Sequence, residues 1–395
     1  MAAVSRAEGQ GFVRDRVTWL AYCSISAYAF YIYALGPVVN FLRTELHLSY
    51  TLTSLHSTLW AAGAVGTGLF FAPLTRRFGR RAVFWWSALV TAVGVGVLIV
   101  GHRVAVTLPG TTVLAAGCTL LGATSNVVLS DHHREQRDRA LVEANVGASA
   151  VGVAVPALLG LLAGTAGGWR PGLLLPVLCL ACLYALLRGV PMPSPAVSGA
   201  ARGRLPGGFW SACGLVALAV AIEFCVIFYG PPLLSIRAGL ATADAAAALS
   251  LFIAGELTGR LAGSWLSRRP GRAELLIGIA LGISLAGFLA LWLGRWAAAE
   301  LVALFVTGLG VGNLYPLSLS LALGAGGDLT DRAMARTQVA ISAAIAGAPL
   351  LLGVLSDRAG VLRAVALEPA LIVAAAAVLI AVRAGQRSLA GAVPA

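Results

Sequence analysis

The sequence predicts an all-α membrane protein with twelve transmembrane helices in two pseudo-symmetric six-helix bundles. Hydrophobic residues make up 59% of the 395 residues and charged residues only 11%, a balance that excludes a water-soluble chain of this length. Apolar stretches of about 20 residues recur along the chain, the length that a helix needs to cross a hydrocarbon core of about 30 Å. Residues 139–170 and 332–363 align without a gap and are identical at 13 of 32 positions, which indicates an internal duplication.

Each predicted helix is an apolar stretch, and its length excludes the shorter, alternating strands of a membrane barrel. The first six spans are predicted at residues 17–39, 52–74, 82–101, 105–129, 140–163 and 171–188. The second six are predicted at residues 208–232, 244–267, 273–293, 298–323, 334–355 and 361–383. The two predicted bundles occupy residues 17–188 and 208–383. A cytoplasmic linker rich in Pro, Gly, Ser and Arg separates them at residues 189–207. Cytoplasmic tails are predicted at residues 1–16 and 384–395.

The basic residues predict the orientation of the chain. All 28 are arginine, which suggests a GC-rich bacterial genome. With the N-terminus in the cytosol, 20 arginines fall in cytoplasmic segments and 7 in extracellular ones. This asymmetry follows the positive-inside rule, so we predict a multi-pass protein of the bacterial cytoplasmic membrane with both termini in the cytosol. The net charge of +12 then reflects orientation and not nucleic-acid binding.

Two arginine-rich turns occupy matched places in the two halves, after the second and the eighth span. They resemble the signature of the major facilitator superfamily, Gly-x-Leu-x-Asp-Arg-x-Gly-Arg-Arg. The residues that fit it in the first half are Leu74, Arg77, Gly79, Arg80 and Arg81. Those that fit its echo in the second half are Leu266, Arg269, Gly271 and Arg272. With twelve spans, a six-plus-six repeat and a central linker, the chain resembles this superfamily across nearly its whole length.

The resemblance implies a secondary transporter that works by alternating access on a small-molecule substrate. It implies a functional monomer surrounded by membrane lipid, with no enzymatic activity and no cofactor. One feature departs from the family pattern, because the acidic position of the signature is Arg76 in the first half and Arg268 in the second.

This departure predicts a cytoplasmic gate of changed sign, in which arginines pair with acids of the other half. The arginine candidates are Arg76, Arg77, Arg80, Arg81, Arg268, Arg269 and Arg272. The acidic candidates are Asp138, Glu143, Asp328 and Asp331, with Asp131 and Glu135 nearby. The alternative is that these arginines only set topology in solvated loops, since exposed ion pairs contribute less than about 1 kcal/mol each.

Three charged residues lie inside predicted spans, where a charge costs about 2.5–3.5 kcal/mol and therefore usually faces a cavity or a partner. Glu223 has no partner within its own helix, and because burial disfavours a bare carboxylate, it is our first candidate for proton coupling. Glu256 and Arg260 are one turn apart on one helix face. They are candidates for binding or coupling, or form a neutral pair that only stabilises the helix.

Polar residues on the other predicted cavity helices are candidates for substrate contact. They are Tyr28, Tyr31, His56, Asn126, Asn145, Asn313, Tyr315 and Gln338. Asn145 and Gln338 occupy matched positions in the duplication and could equally bond to each other across the two halves. The tyrosines are equally explained as interfacial or packing residues.

These features predict proton-coupled movement of a small organic molecule, with efflux slightly favoured over uptake. Exporters of the family usually have a Gly-Pro-x-x-Gly-Gly element, of which residues 155–160, VPALLG, keep only the Pro and the last Gly. A nutrient importer or a proton-independent facilitator therefore stays open as an alternative. A non-transporting sensor of the same fold is the remaining alternative. The sequence contains no phosphate-binding loop and no Cys/His spacing typical of a metal site.

Overall fold

The computed structural model describes residues 13–133, 137–192, 204–266, 273–294, 296–326 and 329–391. The first half forms six helices, which are α1 (Arg16–Leu46), α2 (Tyr50–Phe78), α3 (Arg80–Val100), α4 (Val104–His133), α5 (Arg137–Ala163) and α6 (Leu174–Leu187). A 3-10 turn, Arg170–Leu173, leads into α6.

The second half follows the same order of spans with two interruptions. Its helices are α7 (Gly207–Arg237), α8 (Thr242–Leu266), α9 (Ala273–Leu293), α10 (Ala297–Val311), α11 (Leu314–Gly326), α12 (Thr330–Ala359), α13 (Val361–Ala364) and α14 (Leu367–Gly391). The predicted tenth span is thus divided into α10 and α11, and the twelfth into α13 and α14.

Each predicted span corresponds to one helix of the described chain or, for the tenth and twelfth spans, to two. Among the described residues, eleven helical segments are both long and apolar enough to cross a membrane. The second predicted span lies in α2, which has 29 residues and is not among these segments. Thr53, Ser54, His56, Ser57 and Thr67 in this helix are all buried, so its polarity faces protein. The twelve-span prediction is therefore compatible with the fold.

The helices form two bundles that pack against each other in a symmetric manner. Between the bundles, α2 packs on α12 and α5 packs on α8. The two contacts match, because each joins one helix of the first half to one helix of the second. α1 and α7 are the most enclosed spanning helices and meet at the centre. Gly36 makes this contact possible, since a Cβ there would lie 2.6 Å from the carbonyl oxygen of Ile227.

The bundles are sealed at the end where α1 ends and α2 begins, called the closed end below. Asp357 on α12 accepts hydrogen bonds from the amides of Tyr50 and Thr51 at the start of α2, both at 2.8 Å. One turn deeper, Ser54 and Tyr229 share a hydroxyl hydrogen bond of 2.8 Å. These contacts join the two bundles.

Further inter-bundle hydrogen bonds lie at or just below this end. They run from Thr58 to the Ala346 carbonyl, from Asn40 to the Phe228 carbonyl and from the Ala157 amide to Ser250. Within the described ranges, the hydrogen bonds between bundles lie at the closed end or, for Tyr33 and Arg260, at mid-bundle. The opposite end, which carries both termini, is called the termini end below.

Candidate functional site

A cavity of about 730 Å³ lies between the bundles near the middle of the spans. Both halves line it, through α1, α2, α4 and α5 on one side and through α7, α8, α11 and α12 on the other. Its walls are mostly aromatic and aliphatic, with Tyr28, Tyr33, Trp60, Phe224 and Tyr315 among them. A cavity of this size that is largely apolar with a few polar groups matches the general form of small-molecule sites.

Three charged side chains meet at one wall of this cavity. Arg260 on α8 lies 3.6 Å from a Glu223 oxygen and 3.4 Å from a Glu256 oxygen. Glu256 is fully buried, whereas Glu223 and Arg260 line the cavity. Tyr33, from the other bundle, accepts a hydrogen bond of 3.5 Å from the same guanidinium. Arg260 therefore joins two acids of its own bundle to a hydroxyl of the opposite one.

Local chain geometry gives Arg260 its fourth partner. Pro316 has no backbone N–H, so the carbonyl of Gly312, four residues earlier, lacks its usual helical donor. Arg260 Nε donates to this carbonyl at 3.2 Å. The Gly312 carbonyl lies at the break between α10 and α11 and is therefore free to accept a hydrogen bond from a side chain.

The charges of the cluster do not balance when all three groups are ionised. Two carboxylates and one guanidinium leave one excess negative charge among the described residues of this wall. One oxygen of Glu256 is buried without a hydrogen-bond partner in the described part of the chain. Because a buried uncompensated charge is costly, one bound proton or one cation brings the cluster to neutrality.

The structure changes the interpretation of Glu223. The sequence shows no partner for it within its own helix, and the structure places Arg260 of α8 against it. This contact depends on how α7 packs against α8, which the sequence of one helix does not reveal. The Glu256–Arg260 contact, predicted from a spacing of one turn, is present in the structure.

Five of the eight polar candidates line the cavity, namely Tyr28, Asn145, Asn313, Tyr315 and Gln338. Asn145 and Gln338 do not bond to each other, and Asn145 donates instead to the carbonyl of Leu141 in its own helix at 2.8 Å. Asn313 donates to the carbonyl of Gly259. The matched amides thus face the cavity from opposite bundles.

The other three polar candidates are satisfied elsewhere and do not line the cavity. His56 is fully buried and contacts Thr107 at 3.1 Å, as well as backbone carbonyls of its own helix. Tyr31 is buried and donates to the Leu173 carbonyl at 3.1 Å. Asn126 donates to the Gly122 carbonyl at 2.9 Å. Their polarity serves contacts within the first half, which corrects their assignment to the cavity.

The gate candidates are only partly described. Arg80 is buried and pairs with Asp131 at 2.6 Å, and Glu143 pairs with Arg14 at 2.8 Å. Both pairs lie inside the first bundle and not between bundles. The side chains of Arg76, Arg77 and Arg81 are exposed. The remaining candidates, Arg268, Arg269, Arg272, Asp138, Asp328 and Asp331, lie outside the described residues or side chains, and the gate stays a prediction.

Sequence reasoning missed several residues of the cavity. Ser149 and Ser342 both line it, one from each bundle. They occupy the same position of the internal duplication, so the signal was available. Trp60, Phe224 and Thr119 also line it, and nothing in their local sequence separates them from packing residues.

Two membrane-embedded bundles, with a central cavity and a seal at one end, define a transporter of the alternating-access class. The family model of the Major Facilitator Superfamily matches residues 21–327, so the chain belongs to this superfamily and is a non-enzymatic secondary transporter.

Solved transporter structures share the fold. A bacterial homologue of the human lysosomal transporter Spinster, in an inward-facing and occupied conformation, has a TM-score of 0.80 at 15% identity, covering 94% of this chain and 98% of that one. The nucleoside transporter NupG has a TM-score of 0.76 at 10% identity, covering 93% and 100%. A bacterial homologue of the human drug peptide transporters PepT1 and PepT2 has 0.74 at 12%, covering 97% and 100%. No curated protein matches the chain in sequence.

Proposed function

We propose that this protein couples the movement of a small organic molecule to protons, through the cluster of Glu223, Glu256 and Arg260. The observation that carries the proposal is that two acids contact a single base at the wall of the central cavity, which leaves one acid in excess. A proton that neutralises this excess binds next to the substrate space, so proton and substrate occupancy affect each other through charge.

The neighbourhood of Glu223 supports a coupled role. Its carboxyl faces Glu256 and Arg260 on α8, Tyr33 on α1 and Tyr315 on α11. Protonation of one carboxyl removes an attraction for Arg260 and leaves the guanidinium freer to bind Tyr33 or a substrate group. Because Tyr33 belongs to the other bundle, this change acts across the interface that moves in alternating access.

Efflux remains slightly favoured over uptake as the direction. The mostly apolar and aromatic wall suits a substrate with an apolar body, which is common among exported compounds. The alternatives are a nutrient importer and a proton-independent facilitator. A measurement of proton flux distinguishes the facilitator from a proton-coupled transporter.

The arginine distribution supports an orientation with both termini in the cytosol of a bacterial cell. In that orientation the closed end is extracellular and the conformation described above is inward-facing. A functional monomer is proposed from the family, with the complete substrate cavity formed by one chain.

The test uses proteoliposomes that enclose a pH-sensitive dye and are challenged with sugars, carboxylates, amino acids and hydrophobic cations. A compound that is transported with or against protons changes the internal pH. In the Glu223→Gln variant we expect this pH change to disappear, while the compound still raises the melting temperature of the purified protein. Binding without proton movement is the signature of lost coupling.

The matched control is Glu274→Gln. Glu274 also pairs with an arginine, Arg383 at 3.0 Å, but on α9 and α14 and away from the cavity. This variant should retain the proton flux. Unchanged proton flux in Glu223→Gln, with an identified substrate, would refute the coupling role. A substrate flux without any proton movement in the wild type would favour the facilitator.

A further inference from the structure

A second cavity of about 540 Å³ lies on the outer side of the first bundle, between α3 and α6. Two arginines stand at its termini end, Arg81 at the start of α3 and Arg188 just after α6. Its floor is apolar and includes Leu89, Ala92 and Val177. The proposed coupling cluster uses none of these residues, although Arg81 is also a candidate of the predicted cytoplasmic gate.

The charge of this groove is unbalanced. Arg81 has no acidic partner among the described side chains, and Arg188 contacts only the ring of Tyr184, at 5.9 Å from its centroid. No acidic residue lines the groove in the described part of the chain, and Asp131 on α4 is bound by Arg80. Two positive charges therefore face the groove mouth without a counter-charge from the described side chains.

Aromatic side chains surround the same mouth. Trp85 and Tyr184 pack edge to face with centroids 5.1 Å apart, and Trp86 also lines the groove. Trp85 Nε1 is buried and lacks an acceptor among the described residues. Tryptophan and tyrosine are typical of the headgroup level of a bilayer, so this part of the groove lies where lipid phosphates and esters lie.

The length of the groove matches one leaflet. On α3 it runs from Arg81 to Ala92, and on α6 from Val177 to Arg188. Each path covers twelve residues, and its eleven steps span about 16 Å at a rise of 1.5 Å per residue. Half of a hydrocarbon core of about 30 Å is about 15 Å, the depth that a single acyl chain reaches.

We propose that this groove binds one anionic phospholipid, with its phosphate between Arg81 and Arg188 and an acyl chain along the apolar floor. Basic pockets beside transmembrane helices attract anionic headgroups, and arginine binds phosphate oxygens in a bidentate manner. This site is independent of the substrate cavity.

The test measures thermal unfolding of the full-length protein in a nonionic detergent with added dioleoyl-phosphatidylglycerol or dioleoyl-phosphatidylcholine. These lipids have the same chains and differ in headgroup charge. The wild type should be stabilised at lower concentrations of the anionic lipid. In the double variant Arg81→Gln/Arg188→Gln the affinity for phosphatidylglycerol should fall about thirtyfold, to that for phosphatidylcholine.

The control Arg336→Gln removes an exposed arginine of the other bundle and should keep the preference. The variant Ala181→Trp fills the apolar floor and should weaken the binding of both lipids equally. Equal stabilisation of the wild type by the two lipids would overturn the proposal, as would an unchanged preference in the double variant. If the double variant does not fold, Arg188→Gln alone tests the same preference, since Arg188 lies at an exposed helix end.

Discussion

Asp357 is expected to control the closed end of the transporter. Its carboxylate accepts hydrogen bonds at 2.8 Å from the amides of Tyr50 and Thr51, the first residues of α2. A helix N-terminus leaves such amides without intrahelical partners and carries partial positive charge. Here the acid that caps α2 belongs to the opposite bundle. The cap therefore exists only while the closed end is closed.

The sequence around Asp357 follows a pattern already met at the other end. Residues 353–360, GVLSDRAG, read Gly-x-Leu-x-Asp-Arg-x-Gly. The acid that Arg76 and Arg268 replace in the two arginine-rich turns is thus present after the eleventh span. The chain therefore has an acid of this pattern at the closed end, whereas arginines occupy the matching positions of the two arginine-rich turns.

The Asp357→Ala variant should shift the conformational equilibrium toward opening of the closed end. Loss of a capping side chain costs about 1 kcal/mol, and loss of a charge at a helix N-terminus costs about 0.3–1 kcal/mol. The residue is exposed, so we expect a total of about 1–2 kcal/mol, equivalent to a five- to thirty-fold shift.

The shift is measured as the distance between spin labels at Arg103 and Trp296, exposed residues at the closed end of the two bundles. A longer-distance population should grow in Asp357→Ala. The control Glu45→Gln breaks contacts to Trp169 and Arg170 at the same end but inside the first bundle, and should leave the distances unchanged. Identical distance distributions for Asp357→Ala and the wild type would refute the reasoning.

Three more variants test other contacts. Gly353→Ala places a Cβ 2.8 Å from the carbonyl oxygen of Tyr50 and should open the closed end in the same distance measurement, whereas Gly347→Ala on the same helix meets open space and should not. Arg260→Gln leaves two buried acids without a base and should lower the free energy of unfolding by about 3 kcal/mol, measured by denaturant titration. Asp15→Ala removes the N-cap of α1 and should cost about 1 kcal/mol at neutral pH. Burial raises the pKa of Asp15, but hydrogen bonds from Thr18 and His132 outweigh it and hold this pKa below its usual range, so the cost should vanish as the pH falls through that value.

The twelve spans were predictable because length and hydropathy are local properties of the chain. Their ends were less so, since α1 continues to Leu46 and α12 reaches Ala359, beyond the predicted limits. Polar residues at these ends have tertiary partners, such as Trp169 and Arg170 for Glu45 and the start of α2 for Asp357. The break at Gly312 also depends on context, because Pro316 permits a gap without fixing where it falls.

The candidate site was predictable to the extent that its contacts lie within one helix. Glu256 and Arg260 share a helix face, so their spacing indicated the pair. Glu223 joins them only through the packing of α7 on α8. His56 shows the converse, since its partner Thr107 depends on the register of α4 against α2, and a polar residue inside a span was mistaken for a cavity residue.

The proposed coupling requires that a proton change the same equilibrium that the closed end sets. Arg260 is the charged residue of the cavity wall that contacts both bundles, through Tyr33. For one linked proton, each pH unit changes the free energy by about 1.4 kcal/mol. This is close to the 1–2 kcal/mol estimated above for the Asp357 cap. Since neither contribution dominates, a proton at the cluster can reverse a preference of that size. Loss of the cap should displace the pH midpoint of the conformational change by about one unit and leave its slope unchanged.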